Sequence, residues 1–367
     1  MDKAKAYISP KNSKAILTVG LNYINHKGGI GGVIETYSKF FFPFKFISTY
    51  RPQKRKIFIY PYFILAIFKL FWKLICDKDI RVVHIHGAAK GSLIRKYCVF
   101  WISKKIFSKK VIYHSHGSEL EKFYLNSNKI IKRWMNKFFN QTDLIICLSN
   151  KWLNFFYSTF GVDNVKVLEN IVERKEVSNK NLKILANNPI KFLFLGAIGK
   201  RKGIFDLLDT IRDNKIDLVG KLKLYIGGDG QIEKLLNYIN YEELKDIIEF
   251  VGWVTGKQKE DLFAECDIYI LPSYNEGLPL SILEAMSYKM PIISTPVGGT
   301  PEIVEDGQNG ILIEPGNKNE ILNALNFFIQ KPGTIALFGN KSYNMVEPYY
   351  SDFVIPKLNS FYNELLK

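Results

Sequence analysis

The 367-residue sequence predicts an α/β protein of two units, each a parallel sheet with helices wound over both faces. Three observations carry this. Short apolar runs recur, each closed by glycines or a polar turn and followed by an amphipathic stretch, which is the rhythm of strand–loop–helix units. That rhythm breaks at Asn170–Asn188, which is polar, charged and low in aromatics, and starts again at Ile190. A chain of this length also exceeds one ordinary core.

In the first unit, Ala15–Leu21 reads as a strand that opens into Asn25-His26-Lys27-Gly28-Gly29-Ile30-Gly31-Gly32, with a helix from about Val33. Glycines after a first strand permit positive φ and close approach to a phosphate, so the loop is either a diphosphate cradle or a plain flexible turn. Its spacing is not GxGxxG, and a dinucleotide site is not supported. Ile57–Cys76 is long enough to be a membrane span, but Pro61, Lys69 and Lys73 interrupt it. The two lysines share one helical face, which predicts an amphipathic helix that either covers the core or dips into lipid headgroups.

Two further strands end in histidine pairs, Val82–Gly87 with His84 and His86, and Val111–Gly117 with His114 and His116. A period of two puts each pair on one strand face. His86 and His116 sit last, against a glycine, where a parallel sheet opens to its ligands. HxH is also a metal-ligand spacing, but no histidine follows His116 and no metal is expected. His84 and His114 read as satisfied structural residues. Asp143–Ser149 is a strand, with Ser149 capping a helix near Lys151, and Val165–Glu169 is the next strand.

In the second unit, Lys191–Leu195 runs into Gly196-Ala197-Ile198-Gly199-Lys200-Arg201-Lys202-Gly203 and a helix with Phe205, Leu207, Leu208 and Ile211 inward. Three consecutive cations beside the positive end of a helix dipole invite an anion such as a diphosphate. Strands follow at Lys223–Ile226, Ile247–Trp253 and Cys266–Leu271. Ser273–Gly277 is then a polar loop, and Pro279 suits the first position of a helix through Leu280–Tyr288. Glu276 and Glu284 stand eight residues apart around that helix start. Two carboxylates there suit a polyol, although either acid alone reads as a dipole-compensating or solvated residue. Ile292–Thr295 and Gly310–Pro315 are the last strands. A final helix over Tyr349–Lys367 carries Phe353, Leu358, Phe361 and Leu365 on one face.

Composition limits the partners. The four cysteines form no CxxC pair and read as buried, reduced thiols of a reducing cytoplasm. MDKAKAYISPKNSK lacks an apolar segment, so no secretory signal is expected. Residues 1–175 hold 31 of the 51 Lys and Arg and 10 of the 35 Asp and Glu, while the remainder is slightly acidic. Lysines interleaved with Phe40-Phe41-Phe42 and Phe68-Lys69-Leu70-Phe71-Trp72-Lys73 suit an anionic membrane surface. No zinc-finger, helix-turn-helix or RNP pattern supports nucleic acid.

Glu276-Gly277-Leu278-Pro279 followed by Glu284-Ala285, and then Pro296-Val297-Gly298-Gly299, Glu302 and Asn309-Gly310, resemble the Glu-x7-Glu signature of retaining GT-B glycosyltransferases, family 4. The resemblance implies two Rossmann-like domains facing across a cleft, residues 1–172 for the acceptor and 188–345 for the donor, with a C-terminal helix, 346–367, returning to the first domain. It implies sugar transfer from a nucleoside-diphosphate sugar to an acceptor hydroxyl with retention. Nothing in the sequence requires a metal or other cofactor, and the basic, aromatic first domain suits a lipid-linked saccharide as the acceptor. The setting would be bacterial capsule, exopolysaccharide or O-antigen assembly, on the inner face of the cell membrane. By position, Glu276 would hold the donor sugar with the N–H groups of Gly277, Leu278 and Leu280 around Pro279. Glu284 would hold the ribose, Lys202 the diphosphate, and Gly252 and Val254 would border the base. Gly29 would approach the diphosphate or acceptor, and His116 would lie beside the transferred sugar. Ala197 stands where the family usually has arginine, which leaves Lys200 or Arg201 to supply that charge. At the domain junction the family's usual Asn-Gly is Asn170-Ile171. A same-fold sugar phosphorylase, a nucleotide-sugar epimerase, a sugar-binding module without catalysis, and a metal hydrolase built on the HxH pairs are the alternatives.

Overall fold

The computed structural model describes residues 7–24, 28–52, 55–177 and 189–367. Part of the expected Gly-rich loop (25–27), part of the N-terminal segment read for a signal (1–6) and part of the expected linker (178–188) lie outside them. The chain divides into two compact units, residues 1–171 with 351–367, and residues 172–350.

The first unit is a six-stranded, all-parallel sheet: β1 (Ile16–Gly20), β2 (Lys45–Ser48), β3 (Val82–Gly87), β4 (Lys110–Ser115), β5 (Leu144–Cys147) and β6 (Val165–Val167), in the order β2-β1-β3-β4-β5-β6. Strand β2 and helix α1 (Pro10–Ala15) were not expected. Both are too short to show a period, and β2 alternates lysine, apolar residues and serine. Alternate residues of each strand enter different cores, as a strand covered on both faces requires. Val83 and Ile85 pack with Ala66, Leu70 and Leu74 of α3 (Ile59–Cys76) and with Leu93 and Val99 of α4 (Gly91–Trp101). Val82 and Ile112 pack with Val33 and Tyr37 of α2 (Gly29–Ser38) and with the terminal helix Ser351–Leu366.

The elements differ from the sequence reading in several places. Helix α2 begins among the glycines at Gly29, not near Val33. Ser149 occupies the N-cap position of helix Asn150–Phe160, but its hydroxyl makes no capping bond and is buried without a partner. The terminal helix buries Val354, Ile355, Leu358, Phe361, Tyr362 and Leu366, while Phe353 is exposed and Leu365 half-buried. Its inward face is rotated because the Tyr362 hydroxyl reaches His84 on β3, at 2.6 Å. Of the four free cysteines, Cys147 and Cys266 are buried, Cys98 is half-buried, and Cys76 is exposed at the end of α3.

The second unit repeats the plan with β7 (Ile190–Leu195), β8 (Leu222–Gly227), β9 (Ile248–Gly252), β10 (Ile268–Leu271), β11 (Ile292–Ser294) and β12 (Gly310–Leu312), all parallel, in the order β12-β11-β10-β7-β8-β9. Phe192, Leu193 and Phe194 are fully buried, so both faces of β7 are covered, and Leu207, Leu208 and Ile211 of helix Ile204–Asp213 pack inward. Phe205 does not. It is half-buried, with the Lys234 amine 4.1 Å from its ring centre.

Candidate functional site

In each sheet the strand order reverses once, between β7 and β10 in the second unit and between β1 and β3 in the first. Loops leaving the carboxyl ends of two such strands diverge, and doubly wound sheets bind ligands in the crevice between them.

In the second unit the diverging loops are Gly196–Gly203 and Pro272–Pro279. Lys202 ends a short 3-10 turn, Lys200–Lys202, and its amine pairs with the Glu276 carboxylate. Glu276 is 5% exposed, and the Ser273 hydroxyl donates to the same oxygen at 2.6 Å. Two glycines permit the close approach of these loops. Gly203 has φ +67°, and a Cβ there would lie 1.9 Å from the Pro272 carbonyl oxygen. Gly298, with φ +60°, would set a Cβ 2.0 Å from the Glu276 carbonyl oxygen. Two backbone bonds tie the loops down, Tyr274 N–H to Arg201 C=O at 2.8 Å and Gly299 N–H to Gly277 C=O at 2.6 Å.

The three adjacent cations therefore have three fates. Lys202 is compensated by Glu276 rather than left facing a helix dipole. The Arg201 guanidinium donates to the Asn275 carbonyl at 3.0 Å, and Lys200 is exposed with no side-chain partner among the described residues. Ala197 is exposed beside them. Pro279 is not the first helical residue. It is an extended N-cap, and helix Leu280–Ser287 begins after it with no side chain capping its first N–H groups. Leu278 and Pro279 are buried, and Gly277 and Leu280 half-buried.

Glu284 lies in the second turn of that helix and pairs with Lys259 at 2.6 Å, so the two acids are held by different cations. Tyr269 links them electrostatically. Burial, and after it the Glu284 and Glu276 charges, push its hydroxyl pKa up, partly offset by hydrogen bonds with Ser281 and the Leu195 carbonyl. Gly252 ends β9 with φ +79°, and buried Val254 follows it against Gly227 at the end of β8. Ser273, Lys259 and Tyr269 escaped the sequence reading. A serine three residues before an acid was the only hint.

In the first unit, Gly29 opens α2 with no atom near its Cβ direction, and Gly28 before it offers no side-chain cap. His84, His86, His114 and His116 form one stack. His86 Nδ1 and His116 Nε2 share a hydrogen bond at 2.9 Å, and His84 Nε2 and His114 Nδ1 one at 3.2 Å. His84 is satisfied at both nitrogens. His114 is not, because its Nε2 is buried without a partner, as is that of His86. Burial, then the His116 charge, pushes the His84 pKa down to about 3, and burial brings His116 down to about 3. Burial and the neighbouring rings hold His86 and His114 well below the usual range.

Donor atoms of His84, His86 and His114 lie within 4.8 Å of one another. A tetrahedral metal needs nitrogens about 3.4 Å apart with converging lone pairs. Here His84 spends one nitrogen on the Tyr362 hydroxyl and the other on His114 Nδ1, and His86 Nδ1 is spent on His116, so three free lone pairs do not converge on one point.

The chain matches two family models, "Glycosyltransferase Family 4" over residues 40–176 and "Glycosyl transferases group 1" over residues 176–345. It is 30% identical to an uncharacterized glycosyltransferase of Methanocaldococcus jannaschii, over 71% of this chain and 68% of that one. It is 26% identical to the UDP-Gal:alpha-D-GlcNAc-diphosphoundecaprenol alpha-1,3-galactosyltransferase of Escherichia coli, over 69% of this chain and 67% of the relative. Among solved structures it resembles sucrose-phosphate synthase of Thermosynechococcus elongatus, with TM-score 0.76, 15% identity and 96% and 99% of the two chains covered. Anabaena HepE in complex with UDP-glucose superposes with TM-score 0.72 at 18% identity, over 96% and 98%. The chain has the GT-B fold and belongs to the group 1 glycosyl transferases, glycosyltransferase family 4, whose members here include enzymes of bacterial polysaccharide biosynthesis.

Proposed function

We propose that this chain moves a sugar from a nucleoside-diphosphate sugar to an acceptor hydroxyl, with the anomeric configuration retained. The observation that carries the reading is the Lys202–Glu276 pair, buried where the second sheet reverses its order. Glu276, oriented by Ser273, accepts hydrogen bonds from the donor sugar, and Glu284 takes the ribose hydroxyls. Lys202 and the unpartnered Lys200 stabilise the departing diphosphate, together with the uncapped start of helix Leu280–Ser287. Lys200 thus stands in for the arginine that Ala197 replaces. The backbone at Gly252–Val254 borders the base. The leaving oxygen takes the acceptor's proton on the face it departs from, and no divalent metal takes part.

The acceptor in this reading is a lipid-linked saccharide, as the name of the Escherichia coli relative suggests, handled on the cytoplasmic face of the membrane. Helix α3 supports it. Ala66, Leu70 and Leu74 hold one stripe to the core, while Ile64, Leu65, Phe68 and Trp72 are more than half exposed. By length and composition it passes as a span, but that packed stripe suits a helix lying in the interface.

The test incubates the full chain with a panel of UDP- and GDP-sugars and a short-chain prenyl-diphosphate N-acetylhexosamine, with and without EDTA. A new α- or β-linked disaccharide with the donor's own anomeric configuration is expected, undiminished by EDTA. An inverted product, a requirement for metal, or release of sugar 1-phosphate driven by inorganic phosphate would overturn the corresponding part.

A further inference from the structure

Helix α4 carries two consecutive cations that the reading above leaves unused. The Lys96 side chain is 3% exposed, and its amine bonds the Thr49 hydroxyl, which itself donates to the Gly20 carbonyl at 2.9 Å. Two of its three N–H groups have no partner among the described residues. Arg95 lies beside it, half-buried and reachable. Its guanidinium stacks 4.8 Å over the Tyr50 ring, and its Nε is buried without a partner. No carboxylate pairs with either cation among the described residues.

A buried cation next to a second one is unfavourable unless an anion compensates it. Burial, then the Arg95 charge, accordingly brings the Lys96 pKa down to about 7. The place is informative. Gly20 ends β1, Thr49 follows β2, and His86 on β3 feels the Lys96 charge, so the pair lies where the first sheet reverses its order. Arg95 also senses Tyr60 in the first turn of α3, at the start of the apolar face, and its neighbour Ile94 is 58% exposed. A flat fork and a point charge at such a place match a phosphate carried by an amphiphile.

We propose that Arg95 and Lys96 bind the diphosphate of the lipid-linked acceptor. The identity of that ligand rests on the acceptor reading above, whereas the anion site itself does not.

Thermal shift and calorimetry on the full chain, with inorganic pyrophosphate and with farnesyl diphosphate below its micellar concentration, test this against Arg95→Gln, Lys96→Met and Lys202→Met. Pyrophosphate is expected to stabilise the unmutated chain and Lys202→Met, with affinity falling at least about tenfold when Arg95→Gln or Lys96→Met is added to Lys202→Met. Farnesyl diphosphate should bind more tightly and lose affinity in the same two variants. Responses to UDP-sugars should show the opposite pattern, lost in Lys202→Met and kept in the other two. Lys96→Met removes an uncompensated charge, so it should fold with an unchanged or higher Tm, and Arg95→Gln gives a second reading. Pyrophosphate binding that survives both variants in the Lys202→Met background overturns the site. If farnesyl diphosphate gains nothing over pyrophosphate, the ligand is a free phosphate and not a lipid. If the variants instead lose only retention on phosphatidylglycerol vesicles, the cations serve bulk headgroups, and the proposal fails. Anion binding that follows the proposed pattern beside a failed transfer assay keeps the site and removes the acceptor reading.

Discussion

Glu276 is buried, Lys202 is largely covered, and each is the other's counter-charge. Removing one leaves the other uncompensated, a loss of about 3 kcal/mol for a buried pair. Glu276→Ala is therefore expected to lower the unfolding free energy by roughly that amount in denaturant titration. It should also reduce transfer by at least ~100-fold, the scale of losing one fixed electrostatic contact to the reacting sugar. A variant that keeps full turnover would show that Glu276 only braces the loop. Glu284, half-buried and paired with Lys259, should behave differently. Glu284→Ala is expected to raise the donor KM with little change in stability, because a partly exposed ion pair contributes under about 1 kcal/mol.

Strands β3 and β4, with His116 just past the end of β4, carry four imidazoles that folding holds neutral. Their folded-state pKa values lie below the unfolded value near 6.5, reaching about 3 for His84 and His116. Above about pH 6.5 both states are neutral and the histidines leave stability unchanged. Below it the unfolded chain binds more protons, so stability must fall progressively from about pH 6.5 toward pH 3. Tm measured across that window should drop, and His84→Phe should flatten the slope while keeping the stack's volume. Helix α3 yields a different expectation at the same scale. Phe68→Ser with Trp72→Ser removes exposed apolar surface and nothing from the core, so Tm should hold while retention on phosphatidylglycerol liposomes falls. Unaltered retention would move the membrane contact elsewhere.

For the whole molecule, the positive charge gathered in residues 1–175 makes liposome retention an electrostatic quantity. It should weaken between about 50 mM and 500 mM salt, as the Debye length shrinks from more than 10 Å to a few. The same charge map was legible in the composition, as were the alternating strands and helices, because apolar runs and glycine punctuation are local properties. Elements too short to show a period, such as β2 and α1, were not. Nor was the start of α2, since glycines that read as a loop can also open a helix.

By itself the sequence determined two α/β units, a Glu-x7-Glu helix mouth and a run of three cations, each written in adjacent residues. Only the tertiary structure decided that Lys202 belongs to Glu276 and Glu284 to Lys259, and that Tyr362 of the last helix reaches His84. It alone left Lys96 buried without a counter-charge among the described residues, because strand order brings together residues far apart in the chain, and a composition does not encode that order.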